Sequence, residues 1–139
     1  VTRPPLPAAL AVVALGGAAG ACIRALLLQA WPIDASGFPW ATFAINVSGS
    51  FLLALLPALP AVRRRPLLPP LLGTGVLGGY TTLSTWSEQT RGLLAAGDTA
   101  VAGAYVFGTL AAALLAVVGA DRLSTLAQRV RFDEEEGDL

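Results

Sequence analysis

The sequence predicts an all-α membrane protein with four transmembrane helices, and three observations carry that prediction. Hydrophobic residues make up 55% of the 139 and charged residues only 13%, where a soluble domain carries about a quarter charged. Mean hydropathy is +0.67. Four apolar stretches approach the roughly 20 residues that a helix needs to cross about 30 Å of hydrocarbon, and the charges fall mostly between and after them.

The first stretch covers about 8–28, opened by Pro4, Pro5 and Pro7 and closed by Trp31-Pro32. It has full spanning length and is read as retained rather than as a cleaved leader. The second covers about 40–59, with Pro39 ahead of its first turn, where a missing N–H costs nothing, and Pro57 and Pro60 marking its end. The third covers about 67–94, but its apolar character stops at Gly78-Gly79, followed by Tyr80, Thr81, Thr82, Ser84, Thr85 and Ser87. A glycine pair at mid-span ahead of a hydroxyl cluster is costly in lipid unless protein or water surrounds it. The expectation is a helix broken at the glycines, although a glycine pair that only lets helices pack closely fits the same residues. The fourth stretch covers about 100–120, and 121–139 form an amphiphilic tail ending in the acidic run Asp133–Asp138. The whole chain reads as one membrane domain.

The polar groups inside these stretches are mostly neutral. Thr42, Asn46 and Ser50 recur every fourth residue on one helical face. Asn46 fits either interhelical hydrogen bonding or the lining of an ion path. Gly16 and Gly20 form a close-packing pattern with Arg24 one turn on. Arg24 either reaches the interface or belongs to the same path. After the glycine pair, Thr81, Ser84, Thr85 and Glu88 share one helical face while Leu83 and Trp86 point to the other. Tyr105 and Thr109 lie one turn apart on the fourth helix. No carboxylate sits at the centre of any stretch.

That inventory excludes several functions. With no His and a single Cys, Cys22, there is no Ser-His-Asp triad, no Cys/His zinc site and no disulfide framework, so an enzyme is not expected. Nine basic residues balance nine acidic ones, which leaves no signal for nucleic acid. A cation pore usually carries a ring of carboxylates and a proton-coupled exporter a mid-span carboxylate. Hydroxyl, amide and indole donors with no carboxylate suit a small anion instead.

Three stretches together resemble the Fluc (CrcB) family of fluoride channels: Gly16-Gly17-Ala18-Ala19-Gly20-Ala21 with Arg24; Pro39-Trp40-Ala41-Thr42 through Asn46-Val47-Ser48-Gly49-Ser50-Phe51; and Gly75 through Trp86 with Glu88. The resemblance implies a four-helix subunit that pairs antiparallel with a second subunit and conducts fluoride passively through pores lined by both. It places Asn46 beside the fluoride path, Tyr105 and Thr109 in a hydroxyl track, Arg24 in a vestibule, and Ser84 and Thr85 in the third-helix motif. It also implies a structural sodium ion, not transported, on the carbonyls of Gly78 and Thr81. Two Phe positions of the family's motif are Leu83 and Trp86 here, and the hydroxyl track ends at Ala113. The alternatives are a small multidrug-type proton-coupled exporter and a non-conducting partner subunit of a channel heterodimer.

With four spans, Arg3, Arg63, Arg64, Arg65, Arg122, Arg129 and Arg131 share one side, against Arg24 and Arg91 on the other. The positive-inside rule then puts both termini in the cytoplasm of a protein in the cell (inner) membrane. So strong a bias opposes insertion in both directions. It favours an oppositely inserted paralogue as partner over an identical copy.

Overall fold

The computed structural model describes residues 4–31 and 37–137, with side chains described through Thr125, and among them every regular element is helical. Prolines set most of the boundaries. Helix α1 spans Leu6–Ala30 and has Pro7 in its first turn. It ends where Trp31, at φ −129° and ψ 73°, leaves the helical region ahead of Pro32. Helix α2 spans Trp40–Leu55 directly after Pro39 and runs into a tight turn at Leu56–Ala58. Leu59 and Arg65 are both extended ahead of a proline, which isolates the short α3, Pro60–Arg64, between them.

The next stretch opens on Pro69-Pro70, and Pro70–Leu77 is wound wide, with Gly78 N–H reaching back five residues to the Gly73 carbonyl as well as to Gly75. The helical path continues through α4, Gly78–Tyr80. It breaks at Thr81 (φ −74°, ψ 157°) and Thr82 (φ −148°, ψ 116°) and resumes as α5, Leu83–Ala95. The expected break at Gly78-Gly79 is therefore displaced to the two threonines. Gly78 has ordinary helical angles (φ −65°, ψ −36°), and Gly79 serves a different need. A Cβ on it would be driven into the Gly17 carbonyl of α1.

Helix α5 ends with Gly97 at φ 86°, where Asp98 N–H returns to the Leu93 carbonyl at 2.9 Å and Gly97 N–H to Leu94 at 3.1 Å. This pair of bonds needs a left-handed residue, which glycine supplies without strain. Helix α6 then spans Thr99–Gly137. It passes straight through the expected end near Ala120, because no Gly or Pro occurs between Gly119 and Gly137.

Among the described residues, three helical stretches are long and apolar enough to cross a membrane: Leu6–Ala30, Trp40–Ala58 and Thr99–Thr125. α1 lies along residues 70–80, α2 along α6, and α5 against α6. The buried core forms where the last two pairs meet, around Leu93, Ala102 and Tyr105, with Phe38, Phe43 and Trp86 against it.

Candidate functional site

A helix interrupted inside a bundle must find new partners for the backbone groups it frees, and at Thr81-Thr82 the partners come from two neighbouring helices. Asn46 of α2 clamps Thr82 from both ends of its amide: Oδ1 accepts from Thr82 N–H at 2.9 Å and Nδ2 donates to the Thr82 carbonyl at 3.0 Å. From α1, Arg24 donates through a guanidinium nitrogen to the Thr81 carbonyl at 3.1 Å. The Thr81 hydroxyl turns back on the Leu77 carbonyl at 2.9 Å.

Thr82 also starts the next helix. Its hydroxyl oxygen accepts from Thr85 N–H at 3.1 Å, the usual threonine N-cap. The same oxygen lies 3.0 Å from the Thr85 hydroxyl and 3.3 Å from that of Ser84. Both hydroxyls are thus tied to the cap. Thr82 itself is 5% exposed, although in the sequence it is one hydroxyl among several. Its position immediately before Leu83 is the one sign of the cap that the sequence offers.

A cleft of about 330 Å³ opens beside the break. Asn46, Gly49 and Ser50 line it from α2, Gly78, Thr81, Thr82, Leu83 and Trp86 from around the break, and Thr109 and Ala113 from α6. No lining side chain is ionisable, and the Arg24 guanidinium of α1 reaches the carbonyl of Thr81, one of the lining residues. Two buried donors find no partner among the described residues: the Trp86 indole Nε1 and the Thr42 hydroxyl. A buried donor left unpaired is costly, and of these two residues Trp86 lines the cleft.

The expected site residues are only partly gathered. Asn46, Leu83, Trp86, Thr109, Gly78 and Thr81 meet at the cleft. Leu83 and Trp86 share it but face differently: Leu83 is 75% exposed, while Trp86 leans inward, its ring 6.1 Å from that of Tyr105. Tyr105 is fully buried behind the cleft, where its hydroxyl donates to Gln89 Oε1 at 2.8 Å. Gln89 is not singled out by the sequence, because one amide on a polar helix face carries no distinguishing signal. The Thr109 hydroxyl bonds the Tyr105 carbonyl of its own helix at 2.6 Å, the ordinary use of a threonine inside a helix.

Among the described residues no three His, Cys, Asp or Glu side chains come together as a metal site, so a resident cation would depend on carbonyls. Because Thr82 N–H goes to Asn46, the Gly78 carbonyl lacks its ordinary i+4 donor. Gly78 is also exposed. The Thr81 carbonyl is engaged by a guanidinium, a cation that opposes a second one on the same oxygen. The Gly78 carbonyl is thus left without that donor, and at the Thr81 carbonyl a cation would compete with Arg24.

Residues 11–120 match the family model described as CrcB-like protein, Camphor Resistance (CrcB). The chain is similar to Fluoride-specific ion channel FluC 2 of Nocardia farcinica, 44% identical over 132 residues that cover 91% of this chain and 94% of that protein. It is 46% identical to Fluoride-specific ion channel FluC 1 of Streptomyces coelicolor over 112 residues, 77% of this chain and 71% of that protein. With Fluoride-specific ion channel FluC of Chlorobaculum tepidum it shares 40% identity over 119 residues, 84% and 94% of the two chains.

Proposed function

We propose that this chain, which belongs to the CrcB family, is a subunit of a passive fluoride-selective channel that releases fluoride from the cell and so lowers its cytoplasmic toxicity. The observation that carries the reading is the cleft at the helix break, which is lined by Trp86, whose buried indole N–H is unpaired among the described residues, and by no carboxylate. Fluoride leaves water only if its lost hydrogen bonds are replaced. The Trp86 N–H, the Thr42 hydroxyl and the second amide hydrogen of Asn46 are groups of the right kind. Arg24 biases the region toward anions without occupying the cleft. Leu83 contributes only apolar wall, so Trp86 carries the aromatic contribution alone. The chain acts as a channel subunit and not as an enzyme. A proton-coupled exporter is disfavoured because Leu6–Ala30, Trp40–Ala58 and residues 99–120 contain no Asp or Glu.

The same proposal includes a fourth membrane passage made of residues 70–95, broken at the two threonines, and antiparallel pairing with a second subunit across the cleft. Both termini lie in the cytoplasm, as the arginine bias favours. The partner is a paralogue, a reading supported by the relatives' numbered names, FluC 1 and FluC 2. A structural sodium ion held by the Gly78 carbonyl, and by the Thr81 carbonyl in competition with Arg24, would fix the break at the pairing interface.

One reconstitution experiment tests these statements. Liposomes containing the purified chain, with and without an oppositely inserted paralogue, are loaded with fluoride or chloride and followed with ion-selective electrodes. Rapid fluoride efflux with almost no chloride efflux is expected, larger with the paralogue, and slower when sodium is replaced by a large organic cation. Absence of fluoride efflux in every arm, where a known fluoride channel works, overturns the channel reading. Full activity of the chain alone removes the paralogue, and indifference to sodium removes the ion.

A further inference from the structure

A second cleft, of about 550 Å³, lies where the chain leaves α2. Leu53, Leu56, Pro57 and Val62 line it with apolar surface, and Arg63 and Thr74 line it with polar groups. Val62 is 6% exposed, whereas Arg63, Arg64 and Arg65 are all exposed. Between Asp34 and Glu88 the sequence contains no acidic residue, so the elements that build this cleft offer the three guanidinium groups no carboxylate.

Its level in the bilayer follows from the neighbouring helix. Trp40–Ala58 is long and apolar enough to cross, so α3 and its arginines begin where that hydrocarbon span stops. Pro57, Pro60, Pro66 and Pro69 punctuate the segment and fix its φ angles, so the cleft's shape owes little to an incoming ligand. An apolar slot with Arg63 in its lining and the exposed Arg64 and Arg65 next in the chain, at headgroup level, matches a molecule with a hydrocarbon tail and an anionic head.

We infer that this cleft is a binding site for an anionic phospholipid, with one acyl chain against Leu53, Leu56 and Val62 and the phosphate among Arg63, Arg64 and Arg65. The site does not depend on ion conduction, so its test and that of the channel are separable.

The test is native mass spectrometry of the full-length protein, purified in detergent with equimolar phosphatidylglycerol and phosphatidylcholine of identical chains. Phosphatidylglycerol should be retained with a preference of about tenfold or more, since each arginine near a membrane surface is worth roughly fivefold for an anionic lipid. The triple variant R63Q/R64Q/R65Q should fall to parity. Thr74→Trp, which projects an indole into the slot, should reduce retention of both lipids without changing the oligomeric state. Excess inorganic phosphate should displace neither. Parity in the unmodified protein overturns the inference, as does an undiminished preference in the triple variant. Displacement by phosphate reassigns the arginines to a free anion. A change of oligomeric state in Thr74→Trp assigns the cleft to a second copy. A preference that emerges only after removal of residues 126–139 assigns it to the chain's own acidic tail.

Discussion

α1 and α2 both approach the helical stretch that leads into the break, and they do so by different means. α1 meets it backbone to backbone. A Cβ at Gly16 would fall against the Leu71 carbonyl and one at Gly20 inside the Val76 carbonyl, and from the opposite side Gly75 and Gly79 press on Val13, Gly16 and Gly17. α2 meets the same stretch through side chains: the Asn46 amide on Thr82, and the Ser48 hydroxyl 2.9 Å from that of Tyr80. A backbone seam has one geometry and nothing in it can rotate away. A side-chain clamp has rotamers and spare hydrogen-bonding capacity. The first suits a scaffold, and the second suits a place where a partner must sometimes be exchanged.

The contrast is broken most severely at the seam. Gly20→Ala sets a methyl group against backbone atoms of residues 76 and 80, and backbone has no rotamer to yield. The expected loss is about 3 kcal/mol or more, at the top of the usual range for overpacking, measured as collapse of the folded fraction in a detergent unfolding titration. Equal stability of Gly20→Ala and the parent would mean that α1 is not seated as described.

At the clamp the expected effect is smaller in stability and larger in function. Asn46→Ala leaves the N–H and carbonyl of Thr82 without their partner, a cost of about 1 to 3 kcal/mol, and frees the break to move. Fluoride efflux should fall at least about tenfold, the factor equivalent to 1.4 kcal/mol, while the protein still purifies folded. Unchanged efflux would show that the clamp is scaffold after all.

The smallest effect sharpens the comparison by control. Gly92 lies in α5, and a methyl group placed on its Cα would meet nothing within 4 Å, so Gly92→Ala should raise stability by about 0.5 to 1 kcal/mol through helix propensity alone. Destabilisation there would reveal a neighbour packed on that face.

Much of this architecture is legible because proline is a local signal. Pro32, Pro57, Pro60 and Pro66 act on the residue before them or on their own turn, and the ends of α1, α2 and α3 follow. The glycines mislead for the opposite reason. Gly78-Gly79 suggests an unwound turn, but a glycine's use depends on what approaches it, and the α1 backbone is some sixty residues away in sequence. The break instead belongs to Thr81 and Thr82, whose extended angles are stabilised by Asn46 and Arg24, partners that only the packing of three helices brings together. The cleft is partly visible: the four-residue repeat Thr42, Asn46, Ser50 marks the right face of α2. Periodicity alone does not separate Leu83, turned outward, from Trp86, turned in, nor single out Gln89 as the acceptor for Tyr105.

The break also bears on how the chain is assembled during synthesis. The segments on either side of it have eight, three and thirteen residues, and thirteen residues of helix rise only about 20 Å against roughly 30 Å of hydrocarbon. Neither side is long enough to partition into lipid on its own hydropathy, and α5 carries Ser84, Ser87, Glu88, Gln89 and Arg91 as well. Insertion of the fourth passage proposed above would therefore wait for its neighbours: the glycine face of α1 and Asn46 of α2 precede it in the nascent chain, whereas α6, the surface on which α5 rests, emerges after it. In that proposal residues 70–95 are the last part of the molecule to reach their final depth, and a ribosome that stops before α6 would leave behind a chain unable to bury them.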